Sequence, residues 1–279
     1  MKILFNVFPP ANCLLPESGF SVLKSHLNRL NHNCKIIYWN HLLYPLTIEY
    51  IKPNAVNDLQ GILLPYMHLL FGNNFPIDIA ARILESKLSV LYLKPPKFSE
   101  DLIETISSEI TQRISDHINT NKIDQEYPLI GISYKFNQWI AGIYFCRLIR
   151  SLNPKVKFVI GGIPTKEEAL AIISLFKNDL DYAMWGEGEY SLEKLAFSLE
   201  NNMNSIEAIP GLVYQENDRI KATVKRHEYV NIPTPDYDEF FESTNINHNN
   251  EPLFIEGARG CKWRKCSFCY LNDGYRFRK

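Results

Sequence analysis

The chain has 279 residues, 46% of them hydrophobic, enough to bury one large domain and part of another. Thirty basic side chains against thirty-one acidic ones leave a formal net charge of −1, which excludes the strong field of a nucleic-acid-binding or anionic-membrane-binding surface. No apolar run reaches the ~18 residues of a membrane span; 62–71 comes nearest and is interrupted by Pro65 and His68, so the protein is expected in solution in the cytosol, with neither nucleic acid nor membrane as partner.

Residues 2–8 read as a buried strand, too short for a signal peptide and followed at once by Pro9-Pro10. Residues 19–30 carry Phe20, Leu23, Leu27 and Leu30 at helical spacing, and 34–39 is a second strand. A right-handed crossover makes this strand–helix–strand unit parallel. From 42 to about 124 the pattern predicts a mostly helical insertion, with helices over 77–86 and 101–118; residues 88–93 fit helix or strand. Beyond 127, strands at 129–133, 156–160 and 180–185 alternate with helices at 138–152, 166–176 and 191–199. That alternation predicts an α/β fold with a doubly wound parallel sheet covered on both faces. Such sheets bind ligands beyond the carboxyl ends of their strands, which here carry Ser133, Gly161-Gly162 and Gly186-Glu187-Gly188-Glu189.

After 201 the period changes. Residues 211–214 and 220–224 flank Glu216-Asn217-Asp218 as a β-hairpin, and Pro235-Asp236-Tyr237-Asp238 and a polar 245–250 stretch follow. Residues 253–256 read as a new strand and 257–260 as a loop. The expected organisation is an α/β domain over 1–200, a hairpin-containing linker over 201–250, and a further unit beginning within 251–279.

Cys13, Cys34 and Cys146 are scattered, whereas Cys261, Cys266 and Cys269 form a Cys-x4-Cys-x2-Cys loop, unlike a disulfide framework. In a reducing compartment clustered thiols bind metal or do redox chemistry. Three soft thiolates on one loop can converge on one metal centre, and three rather than four would leave one iron of a four-iron cluster open to a substrate or cofactor. Lys262, Arg264 and Lys265 favour the thiolate form. The alternative is structural zinc completed by His227 or His248, although neither histidine stands at ribbon or finger spacing.

An open three-cysteine loop after a strand, with an aromatic residue, Phe268, just before the last cysteine, resembles the radical S-adenosylmethionine superfamily. The gaps are four and then two where the commonest superfamily spacing is three and then two; longer first gaps occur in members with a cobalamin-binding-type domain in front. The resemblance implies a [4Fe-4S] cluster on Cys261, Cys266 and Cys269, with Phe268 beside the cofactor. The open iron would chelate S-adenosylmethionine, and an electron from a donor such as flavodoxin or ferredoxin would cleave the sulfonium. The resulting 5′-deoxyadenosyl radical would abstract a substrate hydrogen. A TIM-type barrel of roughly 200 residues is implied behind the loop. The chain is therefore expected to hold only the start of that barrel, with 270–279 leading into its first helix, and to be inactive alone.

Upstream, Gly131-Ile132-Ser133, Val159-Ile160-Gly161-Gly162 and Trp185-Gly186-Glu187-Gly188-Glu189 are similar to cobalamin-binding domains. This implies cobalamin contacts at Ser133, Gly161, Gly162, Gly186, Glu187 and Gly188. Members that ligate cobalt through protein carry Asp-x-His-x-x-Gly after the first strand; here 9–19 contains no histidine, and His26 and His41 read as surface or packing residues. Cobalamin is then expected without a protein ligand, or the fold has lost it. With Pro235-Asp236-Tyr237-Asp238 and Glu256-Gly257-Ala258-Arg259-Gly260-Cys261 added, the succession resembles radical enzymes of ribosomal-peptide (RiPP) maturation, which implies carbon methylation of a precursor peptide. Arg259 reads equally as a partner for a carboxylate near the cofactor or as a surface residue. Two rivals stay open: a radical enzyme acting on a peptide or small molecule whose front domain binds no cobalamin, and a non-enzymatic binding module with structural zinc.

Overall fold

Strand β1, Lys2–Val7, sends Ile3, Phe5 and Val7 to one face and Leu4 to the other, each at most 1% exposed, as expected for a strand covered on both sides. It lies in a computed structural model that describes residues 1–51, 62–72, 75–91, 98–203, 206–223, 229–243, 253–269, 275 and 277–279. Around β1 a seven-stranded sheet assembles in the order β2 (Asn33–Tyr38), β1, β3 (Leu129–Ser133), β4 (Lys157–Ile163), β5 (Tyr182–Trp185), β6 (Leu212–Glu216), β7 (Arg219–Ala222). Strands β2, β3, β4 and β5 continue it in parallel. Helices α1 (Ser18–Asn28) and α9 (Glu189–Glu200) cover the Phe5 face; α7 (Gln138–Leu152) and α8 (Lys166–Leu175) cover the Leu4 face. The doubly wound sheet is thus present, and each strand and helix expected in these regions is found with small shifts of its ends.

The expected helical insertion consists of α2 (Trp39–Leu46), α3 (Leu63–Phe71), α4 (Ile77–Leu91), α5 (Glu100–Asn121) and α6 (Ile123–Glu126). Helix α5 shows why: Ile103, Ile106, Ile110, Ile114 and Ile118 fall on one stripe and are fully buried, and the Ser99 side chain caps the Leu102 amide at 3.2 Å. The ambiguous stretch 88–93 resolves as the end of α4 up to Leu91; 92–93 lie outside the described residues.

Two details, one of packing and one polar, fix the sheet's centre. Gly131 in β3 faces Phe5 so closely that an added Cβ would stand 2.7 Å from the Phe5 ring, which stacks on Phe20 at a centroid distance of 5.0 Å. Fully buried Asn6 donates to the Gly131 carbonyl at 3.1 Å and accepts from the Trp39 indole at 2.9 Å, tying β1 to β3 and α2. Asn6→Ala leaves a buried donor and a buried acceptor unsatisfied, so we expect a loss of about 2–4 kcal/mol. Urea unfolding should show a lower midpoint at unchanged slope; a loss under about 0.5 kcal/mol, the size of an ordinary surface change, would rule this network out as a stabilising one.

The hairpin is where the structure departs from the sequence reading. Strands β6 (Leu212–Glu216) and β7 (Arg219–Ala222) do turn at Asn217 and Asp218, both in the left-handed region as a tight hairpin turn requires. They do not sit in a linker, however: β6 pairs antiparallel with β5, Tyr182 opposite Tyr214, and extends the sheet. Leu212, Val213 and Tyr214 are buried on alternating faces, which gives the strand its place. The expected Val224 end lies outside the described residues.

Beyond the sheet, α10 (Asp238–Ser243) presses fully buried Phe240 onto Tyr38 of β2. Lys24 of α1 pairs with Asp236 at 2.9 Å and with Glu239, so the Pro-Asp-Tyr-Asp segment is fastened to the domain. Residues 253–256, expected as a strand, join no ladder among the described residues, and Ile255 is 85% exposed. With no ladder partner among the described residues, apolar composition alone does not make a strand. The polar stretch 245–250 lies outside the described residues, as does most of 270–279, so the helix expected there is not described. No helix among the described residues is long and apolar enough to cross a membrane.

Candidate functional site

A cleft of about 190 Å³ opens at the carboxyl ends of β3, β4 and β5, on the face covered by α1 and α9. Phe5, Phe20, Leu23, Met184 and Leu192 make its walls apolar. Its rim is Gly161 and Gly162 at the end of β4, and Gly186, Glu187 and Gly188 after β5. A Cβ on Gly161 would meet nothing within 4 Å, so a side chain there would project into open space, while Gly162 and Gly186 both sit at φ +76°, which favours glycine. The sheet thus brings together five of the cofactor-binding residues that the sequence singled out. Ser133 is not among those lining the cleft; it is buried at the end of β3, where its hydroxyl accepts from the Lys135 amide at 3.2 Å.

Glu187 does something the sequence did not reveal. Its side chain is only 2% exposed and grips two arginines: Arg278 Nη1 donates to Oε1 at 2.8 Å, and Arg259 Nη1 to Oε2 at 3.2 Å. Arg259 also reaches Glu189 at 2.5 Å and holds Glu256 through two bonds of 2.6 Å. Burial alone would disfavour the Arg259 charge, but the hydrogen bonds and charges of Glu256 and Glu189 outweigh it, holding its pKa above the ordinary arginine value. The two arginines bridge through their backbones as well, each amide donating to the other's carbonyl at 2.9 and 3.0 Å. Of the two roles open to Arg259 from the sequence, pairing with a carboxylate is the one observed. Arg278 carried no sequence signal at all. Arg259 and Tyr275 also line the cleft, so this C-terminal segment forms one of its walls.

The six cysteines fall into two physical classes. Cys13, Cys34 and Cys146 are core residues; burial pushes the Cys13 and Cys34 thiols up to about 12 and Cys146 well above the ordinary thiol value. Cys261, Cys266 and Cys269 are half-buried thiols on one loop, where the Cys269 amide donates to the Cys266 carbonyl at 3.2 Å. The backbone amides of Arg264, then Trp263, hold the Cys261 pKa below its ordinary value, and Arg264 lies in the left-handed region at φ +50°. That favours the ligating thiolate. Among the described residues no three His, Cys, Asp or Glu side chains are gathered as a bound metal would gather them, so the loop offers ligands without a formed cage. Phe268 is 90% exposed and does not line the cleft. His227 and His248, the zinc alternatives, lie outside the described residues.

No histidine is among the described residues lining the cleft. His26 is engaged with Glu193 at 3.1 Å, and His41 contacts the Cys13 carbonyl at 2.9 Å and Ser243 at 2.7 Å while stacking on Tyr38. Both do the packing work expected of them.

No protein-family model matches the chain, and no curated protein does. Solved structures do. The cobalamin-dependent S-adenosylmethionine radical enzyme OxsB, with aqua-cobalamin and S-adenosylmethionine bound, is 18% identical with a TM-score of 0.55; the match covers 96% of this chain and 28% of OxsB. Its apo, selenomethionine-labelled form matches with a TM-score of 0.52. The radical S-adenosylmethionine methyltransferase TsrM from Kitasatospora setae, with cobalamin and a [4Fe-4S] cluster bound, is 14% identical with a TM-score of 0.51, covering 100% of this chain and 44% of TsrM. These likenesses establish the fold: a mixed α/β arrangement with a mostly parallel seven-stranded sheet. The chain spans less than half the length of either enzyme.

Proposed function

We propose that the chain carries the cobalamin-binding-type domain and the cluster loop of a radical S-adenosylmethionine enzyme, with the seven-stranded sheet, β6 and β7 included, as the cofactor-facing domain and 251–279 as the segment that bears the cluster loop. The single observation that carries this is the juxtaposition of two sites. A glycine-rimmed apolar cleft at the carboxyl ends of the strands shares a wall with the segment leading into three clustered thiols. OxsB and TsrM, which share the fold, are enzymes of this kind.

The residues fit the cofactors. The open space over Gly161 and the apolar walls suit a flat, largely apolar group pressed against backbone. Cys261, Cys266 and Cys269 would hold a [4Fe-4S] cluster, with Cys261 already biased to thiolate. When bound, the cluster and S-adenosylmethionine supply a carbon-centred radical, and cobalamin supplies a transferable methyl group. The chain's own part would be to seat such a flat group against Gly161 and Phe20 and to keep water from the apolar walls. The proposed reaction is carbon methylation of a ribosomally made peptide, the electron coming from a flavodoxin- or ferredoxin-type donor. What supports the peptide is the succession of Pro-Asp-Tyr-Asp and Glu-Gly-Ala-Arg-Gly-Cys segments, the first fastened to α1 and the second forming the cleft wall.

The test is the visible spectrum of protein purified without oxygen and supplied with iron, sulfide and hydroxocobalamin. Brown iron–sulfur absorption together with corrin bands that stay with the protein on gel filtration is the expected result. Iron–sulfur absorption without corrin would select the cobalamin-free rival, and colourless protein holding zinc would end the radical reading.

A further inference from the structure

We propose that Glu187 and Glu189 position the cysteine-bearing segment by gripping Arg259 and Arg278, and that this latch governs the entry of a bulky ligand into the glycine cleft. The inference rests on the cofactor reading of the cleft and gives Glu187, which the sequence placed on the cofactor, the task of holding protein instead.

The geometry is that of a clasp between the sheet and the C-terminal segment. Glu187 stands on the turn after β5, and both of its carboxylate oxygens are taken by guanidinium groups from residues far along the chain. A carboxylate with 2% exposure is tolerated only while so paired, which fixes Arg259 and Arg278 against the sheet. Their mutual backbone bonds then hold the two ends of the cysteine segment together. Arg259 is at once a jaw of this clasp and a wall of the cleft. Ordinary small-molecule pockets measure roughly 300–1,000 Å³, and this cleft measures about 190 Å³. A ligand of ordinary size seated between the glycine rim and Arg259 must therefore push that wall outward. The same wall runs directly into Cys261. Filling the cleft and seating the cysteine loop are then linked, and the linkage works in both directions.

Arg278→Gln removes one jaw without touching the lining of the cleft. Amide hydrogen exchange at Arg259, whose N–H is bonded to the Arg278 carbonyl, is expected to rise by about ten-fold or more, while amides of β3 and β4 keep wild-type protection. Association of hydroxocobalamin, followed by stopped-flow absorption, is expected to become several-fold faster, because the wall yields sooner. A merely structural arginine would give slower or unchanged association. Glu187→Gln should show the same two signs and serves if the first variant misfolds. Unchanged exchange at Arg259 overturns the latch, and unchanged or slower association overturns its control of entry. If the wild-type protein binds no hydroxocobalamin, the cofactor reading and with it the control of entry fall, while the exchange comparison still decides whether the latch holds the segment.

Discussion

Alanine at Cys261, Cys266 or Cys269, one at a time, is expected to reduce the iron–sulfur absorption of anaerobically reconstituted protein to background. Three thiolates are the whole protein contribution to such a cluster, and two do not hold it against loss of iron. The control lies in the same chain: Cys34→Ala should keep full absorption, because its thiol is buried in the core and burial holds it protonated, with a pKa of about 12. Iron content per chain and the visible spectrum read both outcomes. Full absorption in any of the three loop variants, or its loss in Cys34→Ala, would remove the loop as the cluster site.

The second large effect is expected at Gly161. A leucine there has room to stand, since the first added atom meets nothing within 4 Å, yet it must occupy the space over which a flat ligand would lie. Gly161→Leu should weaken hydroxocobalamin binding by roughly a hundredfold or more, equivalent to about 2.7 kcal/mol, with thermal unfolding unchanged. Gly162→Ala next door is expected to behave in the opposite way. At φ +76°, with its Cβ 3.1 Å from the Lys135 side chain, it is strained in the folded state and should lower stability by about 1 kcal/mol. Wild-type affinity in Gly161→Leu would show that cobalamin does not use this cleft.

The parts of the molecule that could be read from its sequence are those set by local period. The isoleucine stripe of α5 announces a helix, and the apolar run of β3 a buried strand. The glycine pairs at the ends of β4 and β5 announce close approach of backbone to something else, and they do rim the cleft. Non-local pairing was not legible. Glu216-Asn217-Asp218 correctly signals a hairpin, but nothing in those residues says that Leu212, Val213 and Tyr214 will find the open edge of β5. In the same way Glu187 and Arg278 meet across 91 positions, and a charge gives no notice of its partner at that range. Ser133 and Phe268 came from resemblance to motifs. The structure gives Ser133 a turn to cap and leaves Phe268 in solvent.

The hairpin's attachment also decides how this domain meets copies of itself. Without β6 and β7, the outer side of β5 would offer the backbone of Tyr182, Ala183, Met184 and Trp185 as a template for strand addition between molecules. With them, the outermost strand on that side is four residues long and carries Arg219 and Lys221, the latter paired with Glu216. A short, charged border strand is a poor template for cross-molecule pairing. The sheet can therefore keep its apolar interior strands while remaining protected against fibrous self-association from that flank.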